Sequence, residues 1–348
     1  MTARATVVVP TYNERDNLQV LVKRIRDAMS DVEILVVDDN SPDGTAAKAR
    51  ELGVRVIERT TERGLSTAVL KGLDESATEI CVVIDADLSH PPEKIPDLVK
   101  AVEQGADIAV GSRYCAGGEI DNWPFLRRMT SKTGTMLARP LTSCSDPLAG
   151  YFCLRRSLLK GVELKPRGFK ILLEILARAK PATIAEVPIH FEDREAGASK
   201  FSKKERREYL AQLWSLYVDL NAWPLRLAKF LVTGATGVGV NLGVLWLLAE
   251  LLHRNPYREG AAVAFFVAMT SNYTLNRFWT FRARRAALIA SYVLYALGTL
   301  GGFGIQVGVM HLLKSTHYLL AAFLGIVGGT VFNYLASEFL AFARRRRE

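Results

Sequence analysis

The second half of the chain contains four long segments without Asp, Glu, Lys or Arg. They cover residues 230–249, 260–276, 286–313 and 315–337, and so contain 20, 17, 28 and 23 residues. A helix of about 20 apolar residues spans a bilayer. One such segment could be a buried core helix, but four in succession, rich in Gly and Ala, predict a membrane domain of four transmembrane helices.

Positive charge is concentrated at one set of the connections between these segments. Seven Lys and Arg residues lie between positions 200 and 229, four lie between 277 and 285, and four arginines occupy 344–347. The opposite connections contain only Arg254, Arg258 and Lys314. The positive-inside rule therefore predicts that both termini, and with them the first half of the chain, are cytoplasmic. Much of the net charge of +9 is then explained by the membrane topology and by attraction to anionic lipids. The sequence contains no nucleic-acid-binding motif.

The first half of the chain alternates short β-branched runs with segments of helical period. The predicted strands are 6–9, 33–37, 54–57, 80–84 and 107–110, and the predicted helices between them are 16–29, 43–52, 65–77 and 93–103. This alternation is typical of βαβ units, which form a mainly parallel, doubly wound sheet. The sequence therefore predicts a Rossmann-like α/β domain.

These patterns divide the chain into three regions. Residues 1–204 are predicted to form the α/β domain, 205–225 an interfacial amphipathic helix, and 226–348 the four-helix membrane domain. In the middle region apolar side chains recur at spacings of three and four, at Leu210, Leu213, Trp214, Tyr217 and Leu220. After a basic approach, this spacing indicates a helix in the membrane interface. A core helix of the α/β domain is the alternative.

Polar clusters follow four of the predicted strands. They lie at 10–14, 38–41, 85–87 and 111–113. Ligands of open α/β sheets bind outside the carboxyl ends of the strands, so four clusters at that edge indicate one crevice rather than ordinary capped turns. Neither GxGxxG after the first strand nor GxxxxGK[ST] anywhere is present, which argues against nicotinamide dehydrogenases and P-loop phosphotransferases.

Two carboxylates stand one residue apart in the stretch DADLSHPPE. Asp85 and Asp87 follow the apolar run 81–84 directly, and so close a pair repels unless a cation lies between them. Carboxylate oxygens suit Mg²⁺ or Mn²⁺, which also bind phosphate oxygens. Ser89 is predicted to be either a third oxygen ligand or a helix N-cap, and His90 a turn residue. The sequence therefore predicts a divalent-cation site that would hold a diphosphate.

Six motifs carry a resemblance to a known family. They are VVVPTYNERDNL, ILVVDDNSPDGT, RGLSTAVLKG, DADLSHPPE, GSRYCAGGEIDNWP and DPLAGYF. Over residues 5–200 the chain resembles the family 2 glycosyltransferases of GT-A fold, and within them the dolichol-phosphate mannose synthase branch. The second half resembles the GtrA-type four-helix membrane module.

The resemblance implies a donor site. The residues expected to bind the nucleotide sugar are Pro10, Tyr12, Glu14, Asp38, Asp39, Asp85, Asp87, Arg194 and Lys200. The expected ligands of the metal, Mg²⁺ or Mn²⁺, are Asp85, Asp87 and Ser89. Arg194 and Lys200 belong to an R-x-x-G-x-S-K segment that closes over the diphosphate in the family. Some relatives carry another Arg where this chain has Glu195 or Ala196.

The resemblance also implies an acceptor site. Arg113, Arg127 and Ser131 would receive the acceptor phosphate, and Asp87, Arg113 and Arg127 would carry catalysis. Arginine suits this task because its forked donors bind phosphate oxygens in pairs. Asp146, in DPLAGYF, would either line the sugar or cap a turn.

The reaction that the resemblance implies is inverting transfer of mannose from GDP-mannose to dolichyl or polyprenyl phosphate at the cytoplasmic membrane face. An acceptor phosphate is already anionic, so no general base is needed to activate it. A glucosyltransferase that uses UDP-glucose is one alternative. A membrane flippase or scaffold with a nucleotide-sugar-binding domain is another, and a homo-oligomer is left open.

The membrane half also contains an internal repeat. Asn272-Tyr273 is followed by Thr280-Phe281, and Asn333-Tyr334 is followed at the same spacing by Ala341-Phe342. This repetition predicts two helical hairpins of common origin.

Overall fold

The computed structural model describes residues 3–343 apart from 62, 121–122, 167, 192–202, 252–259, 283, 285–286 and 316. The chain divides into two compact units, Met1–Leu220 and Asn221–Glu348. The division falls inside the region 205–225 that was predicted to connect the α/β and membrane domains. Arg194 and Lys200 lie outside the described residues.

The first unit is built from alternating strands and helices. Its strands are β1 (Ala5–Thr11), β2 (Val32–Asp38), β3 (Arg55–Glu58), β4 (Ile80–Val83), β5 (Ile108–Ser112), β6 (Glu119–Ile120), β7 (Phe152–Arg155), β8 (Ile184–Pro188) and β9 (His190–Phe191). Its helices are α1 (Arg15–Ala28), α2 (Thr45–Glu51), α3 (Leu65–Asp74), α4 (Ile95–Glu103), α5 (Phe125–Ala138), α6 (Ile171–Ala179) and α7 (Lys203–Asp219). The predicted alternation is therefore present.

Seven of these strands form one sheet in the order β3-β2-β1-β4-β7-β5-β8. All neighbours pair in parallel except β7, which runs antiparallel to both β4 and β5. The remaining strands, β6 and β9, form a short parallel pair. The prediction of a mainly parallel sheet is confirmed, and the antiparallel insertion of β7 is an addition to it.

The sheet is buried on both faces, which explains why its strands read as unbroken apolar runs. Every residue of β1 is buried. Its Val7 and Val9 pack into the core on one face with Leu18 and Leu21 of α1. Val8 packs on the opposite face, in the core that includes side chains of α3 and α6. The carboxyl ends of the parallel strands are left at one edge for the polar turns.

Helix α7 presents two different faces. Tyr209, Leu213 and Leu216 are buried in a small core with Leu173 of α6, as expected for a core helix. Trp214 is 62% exposed and Leu210 is also exposed. The packed face agrees with the alternative of a core helix, and contact of the exposed face with a membrane stays a prediction.

Among its described residues, the second unit contains four long helices. They are α8 (Trp223–Trp246), α9 (Ala261–Leu275), α10 (Leu288–Leu312) and α11 (Tyr318–Ala336). Three described stretches, Trp223–Leu251, Leu288–Leu312 and Phe323–Ala341, are long and apolar enough to cross a membrane. The second predicted span corresponds to α9, which has 15 residues and continues as a π-helical turn, Asn276–Thr280. Four transmembrane helices therefore stay a prediction.

The structure shows matching contacts in the two hairpins, while their common origin stays a prediction. In each hairpin an asparagine lies directly against a glycine. A Cβ on Gly237 would be 2.2 Å from Asn272 Nδ2. A Cβ on Gly302 would be 2.1 Å from Asn333 Oδ1. Both hairpins end in a π-helical turn, Asn276–Thr280 in one and Ser337–Ala341 in the other.

The two hairpins exchange equivalent aromatic contacts. Phe230, seven residues before Gly237, packs on Tyr334 of the other hairpin at 5.5 Å between ring centroids. Tyr295, seven residues before Gly302, packs on Tyr273 at 5.7 Å. Phe281 and Phe342, which follow the two π turns, stack on each other with centroids 4.7 Å apart. The membrane unit is therefore a pseudo-two-fold pair.

An ion cluster joins the ends of this unit. The buried Glu338 carboxylate accepts hydrogen bonds from Arg226 Nε (3.0 Å) and Nη2 (2.7 Å), and also from Arg284 Nη2. Arg284 Nη1 also donates to the backbone oxygen of Phe342 at 3.0 Å. The Glu338 carboxylate lies in the π-helical turn Ser337–Ala341. It thus connects Arg226, near the start of α8, with Arg284, just before α10.

Glu338→Gln is expected to destabilise the membrane unit, because two largely buried guanidinium groups lose their counter-charge. Breaking a buried pair from one side is strongly destabilising, so we expect the melting temperature in detergent to fall by more than about 5 °C. Glu250→Gln removes an exposed carboxylate of the same unit and serves as the control. Equal melting temperatures for the two variants would contradict a stabilising role for this ion cluster.

Candidate active site

The turn after β2 is organised by Asp38, which is fully buried. Its Oδ1 accepts hydrogen bonds from Thr11 Oγ1 (2.9 Å) and Ser41 Oγ (2.6 Å), and its Oδ2 accepts from Ser41 N (2.8 Å). Asp38 therefore fastens the ends of β1 and β2 to each other. A direct contact between Asp38 and a nucleotide stays a prediction that this geometry does not favour.

Asp39 belongs to a buried ion pair that the sequence did not indicate. Its Oδ1 accepts from Arg59 Nε at 2.7 Å, and its Oδ2 accepts from Gly64 N at 2.7 Å. Arg59 Nη1 donates in turn to Thr67 Oγ1 at 2.8 Å. Arg59 stands in no motif, so only the folded chain shows that it fixes Asp39 at the crevice.

The turn after β1 contributes an exposed aromatic ring. Pro10 is buried within β1, whereas Tyr12 is 49% exposed with the Arg63 guanidinium 5.7 Å from its ring centroid. Glu14 is tied to the scaffold, because its N–H donates to Thr45 Oγ1 and its Oε2 accepts from Asn17 Nδ2. The face of Tyr12 can stack on a planar ligand, as the nucleoside prediction requires.

The carboxylates of DADLSHPPE lie immediately beyond β4. Asp87 Oδ1 accepts hydrogen bonds from both the N–H (3.1 Å) and the Oγ of Ser89. Leu88 between them has φ of +60°, a conformation that is unusual for a branched side chain. Ser89 is buried and orients Asp87, while its role as a metal ligand stays a prediction.

Asp85 is held between a histidine and a glycine. Its Oδ2 lies 3.6 Å from His90 Nε2. His90 is 4% exposed and packs between the rings of Tyr151 and Phe191. His90 was predicted to be a turn residue rather than a ligand; it lies at a bend and also forms part of the wall behind Asp85. A Cβ on Gly150 would lie 2.2 Å from Asp85 Oδ2, so Gly150 leaves the space that this carboxylate fills.

The donor set fits a divalent cation that arrives with a diphosphate. The described residues contain no group of three His, Cys, Asp or Glu side chains suited to a metal, so a cation held by protein ligands alone is not indicated there. Mg²⁺ is commonly bound by one or two carboxylates together with substrate phosphates and waters. Asp85 and Asp87 supply such a pair.

Gly150→Ala is expected to weaken metal use, because the new methyl group and the Asp85 carboxylate would occupy the same space. We expect the metal concentration for half-maximal activity to rise about tenfold, which is the lower range for changes beside metal ligands. Rates measured against Mg²⁺ and Mn²⁺ concentration test this. Gly234→Ala, where a Cβ meets no atom within 4 Å, is the control; an unchanged metal requirement in Gly150→Ala would contradict the placement of Asp85.

Arg113 forms a two-pronged ion pair with Asp146. Its Nε lies 2.7 Å from Asp146 Oδ2 and its Nη2 lies 2.8 Å from Oδ1, while its backbone N–H donates to Oδ2 at 3.1 Å. Burial raises the pKa of Asp146, but the hydrogen bonds and charge of Arg113 outweigh burial and lower that pKa. Asp146 is therefore the counter-ion that orients Arg113, and contact of Asp146 with a sugar stays a prediction.

The predicted acceptor residues converge around two aromatic rings. The Arg127 guanidinium lies 4.2 Å from the centroid of Trp123, and Arg113 lies 5.6 Å from the same ring. Ser131 Oγ accepts a hydrogen bond from the Tyr114 hydroxyl at 2.7 Å. Together, Arg113, Arg127, the Trp123 ring and the Ser131 hydroxyl form one cradle. Cation–π contact stabilises it in part.

Lys170, at the start of α6, is a cation that sequence reasoning missed. Its Nζ donates to Leu148 O at 2.9 Å. Burial lowers the pKa of its ammonium to about 8, and the charge of Arg113 acts in the same direction. The charges of Asp85 and Asp146 oppose this shift. The one sequence signal was a lysine heading the apolar run ILLEIL.

Comparison with known proteins agrees with this geometry. Residues 6–162 match the family described as Glycosyl transferase family 2, and residues 229–342 match the GtrA/DPMS transmembrane domain. A dolichol-phosphate mannosyltransferase from Pyrococcus furiosus is 39% identical over 98% of this chain and 99% of that protein.

Two shorter relatives match the first part. A dolichol-phosphate mannosyltransferase from Saccharomyces cerevisiae is 42% identical over 63% of this chain and 88% of its own length. A polyprenol monophosphomannose synthase from Mycolicibacterium smegmatis is 42% identical over 60% of this chain and 84% of its own length.

A solved structure supports the fold. Glucosyl-3-phosphoglycerate synthase from Mycobacterium tuberculosis, in complex with Mn²⁺, UDP-glucose and glycerol 3-phosphate, matches with a TM-score of 0.50 at 20% identity. The match covers 61% of this chain and 79% of that one, and supports a GT-A-like first unit. The apolar helices of the second unit indicate a membrane protein. By its similarity to these relatives, the chain belongs to the dolichol-phosphate mannosyltransferases of glycosyl transferase family 2.

Proposed function

We propose that this protein transfers mannose from GDP-mannose to a polyprenyl phosphate such as dolichyl phosphate, with inversion at the anomeric carbon. The observation that carries the proposal is the placement of the acceptor cradle beside the paired carboxylates. Phe191 packs on His90, which borders Asp85, and its ring centroid lies 5.2 Å from the Arg113 guanidinium. Arg127 shares Trp123 with Arg113. A donor and a phosphate acceptor would thus meet at one edge of the sheet.

The chemistry needs positioning more than proton transfer. A phosphate oxygen of the acceptor is already anionic, so it attacks the sugar without a side-chain base. Arg113 is held rigidly by Asp146 and presents its remaining Nη1, and Arg127 adds a second guanidinium on Trp123. A bound Mg²⁺ or Mn²⁺ on Asp85 and Asp87 would stabilise charge on the departing diphosphate.

The surface beside the cradle suits a lipid acceptor. Helix α5, which carries Arg127 and Ser131, exposes 77% of Phe125 and 74% of Leu126. Its neighbour α7, whose Tyr209 hydroxyl donates to the backbone of α5, also has exposed apolar side chains. Apolar side chains next to basic ones are typical of a surface that meets a membrane.

Mannose is preferred over glucose because the relatives at 39–42% identity are mannosyltransferases by name. The glucosyl-transferring structure shares only 20% identity and supports the fold alone. Incubation of the purified full chain with each of several radiolabelled nucleotide sugars and a polyprenyl phosphate tests the proposal. We expect labelled lipid from GDP-mannose; exclusive labelling from UDP-glucose would overturn the mannose assignment.

The charge pattern also supports a cytoplasmic location for both termini. Labelling of single cysteines placed near each terminus with a membrane-impermeant maleimide, in sealed vesicles of known orientation, tests this topology. Labelling only from the non-cytoplasmic side would contradict it.

A further inference from the structure

Lys170 is fixed both at its backbone and at its ammonium. Its backbone oxygen accepts a hydrogen bond from the buried Gln212 Nε2 at 3.1 Å, and its Nζ donates to Leu148 O. Leu148 precedes by two residues the Gly150 that lies against Asp85. Helix α7 therefore holds the lysine backbone, and the turn that supports Asp85 holds its charged end.

The ammonium of Lys170 has capacity left for a ligand. It carries three N–H donors, and Leu148 O is the one hydrogen-bond acceptor recorded for it among the described residues. Lys170 is only partly buried as a residue. A desolvated cation with spare donors is suited to an anionic oxygen.

The charges around it explain why such a cation is needed. Arg113 is largely neutralised by Asp146, with which it shares two hydrogen bonds. An acceptor phosphate brings between one and two negative charges near pH 7, since its second pKa is about 6. It must also approach a diphosphate of the same sign. Two like charges a few ångströms apart in a partly buried site repel strongly.

We propose that Lys170 binds the acceptor phosphate together with Arg113 and Arg127. The inference rests on the proposed function and adds a third cation to Arg113 and Arg127. An ammonium is a compact charge whose donors rotate, so Lys170 can follow the phosphate oxygens as the new bond forms. Its acceptor, Leu148 O, lies two residues after the Asp146 that orients Arg113 and two residues before the Gly150 that borders Asp85.

The test compares Lys170→Gln, Lys170→Arg and the full wild-type chain. Gln keeps a donor for Leu148 O but removes the charge. We expect the KM for polyprenyl phosphate to rise at least about tenfold in Lys170→Gln while the KM for GDP-mannose changes less than about twofold. Lys170→Arg is expected to recover part of the loss. Equal increases in both KM values, or none, would overturn the proposal.

Lys165→Gln is the matched control, because it removes an exposed lysine from the segment that leads into α6. Its KM values should equal those of the wild type. A second measurement follows equilibrium binding of a short-chain polyprenyl phosphate in EDTA, without any donor. Lys170→Gln should bind at least about tenfold more weakly than the wild type; equal binding would contradict the inference.

The two proposals fail in different ways. If the wild-type chain binds polyprenyl phosphate but does not use GDP-mannose, the donor assignment is wrong and the binding comparison still decides the role of Lys170. If wild-type transfer is normal and Lys170→Gln keeps both the acceptor KM and acceptor binding, the proposed function stands and the role of Lys170 is wrong.

Discussion

Replacing Asp87 by Asn is expected to abolish mannose transfer, with kcat/KM falling by at least about a hundredfold. Loss of a partner near a metal ligand already costs 10- to 100-fold, and Asp87 is expected to be a ligand itself. The substitution keeps the size of the side chain and an oxygen that can accept from Ser89. The expected defect is therefore loss of charge at the cation site rather than loss of the turn.

Two measurements make this prediction sharp. Transfer rates in EDTA, and after Mg²⁺ or Mn²⁺ is restored, show whether activity depends on a cation. Binding of Mn²⁺ in the presence of GDP, followed by electron paramagnetic resonance, does not depend on turnover. Asp97→Asn, which alters an exposed carboxylate paired with Lys94, is the control. Full wild-type activity in EDTA would refute the metal site.

The second large effect is expected for Asp146→Ala, which leaves Arg113 buried without its counter-ion. Breaking a buried pair by removing one partner costs about 3–5 kcal/mol of unfolding free energy. We also expect poorer use of the acceptor, because Arg113 would no longer be held by two hydrogen bonds. Urea unfolding in detergent and the KM for polyprenyl phosphate measure the two consequences separately.

A double variant separates stability from binding. Arg113→Met with Asp146→Leu replaces the pair by apolar side chains, and such replacement is often neutral for stability. It should recover much of the lost unfolding free energy but not the acceptor affinity. Glu93→Ala breaks the exposed pair with Arg24 and should cost less than about 1 kcal/mol. If Asp146→Ala unfolds like the wild type, the pair does not stabilise the site.

The alternation of strands and helices was predictable because the sheet is covered on both faces. Strands such as β1 must then be apolar at every position, and they stand out between amphipathic helices. The direction of β7 was not predictable in this way. Phe152–Arg155 has the composition of any buried strand, and its antiparallel pairing depends on where α5 returns the chain.

In the candidate site, too, some residues could be predicted from the sequence and others could not. Asp85 and Asp87 could be found because their spacing and their position after a strand carry the chemistry. Arg59 and Lys170 could not, since their importance comes from the distant residues that fold next to them. Asp38 and Asp39 are adjacent in sequence, yet one is turned into the sheet edge and the other toward Arg59. Local sequence does not distinguish these two orientations.

The prediction for α7 illustrates an ambiguity of period. Apolar residues three and four apart describe a stripe, and a stripe fits a core or a lipid surface equally well. In the structure Leu213 is buried in the core and Trp214 is exposed. Adjacent residues of the same apolar pattern therefore have different surroundings.

The paired hairpins have a consequence for how the membrane unit could have arisen. Two identical copies would assemble as a symmetric homodimer, with the same residue at positions 277 and 338. Here Arg277 donates to Ser291, whereas Glu338 receives Arg226 at the equivalent contact. A symmetric pair could not contain both contacts, so a common origin of the hairpins would require that the two copies diverged. The hairpins are not interchangeable, and two copies of either one alone would leave the ion cluster of Glu338 incomplete.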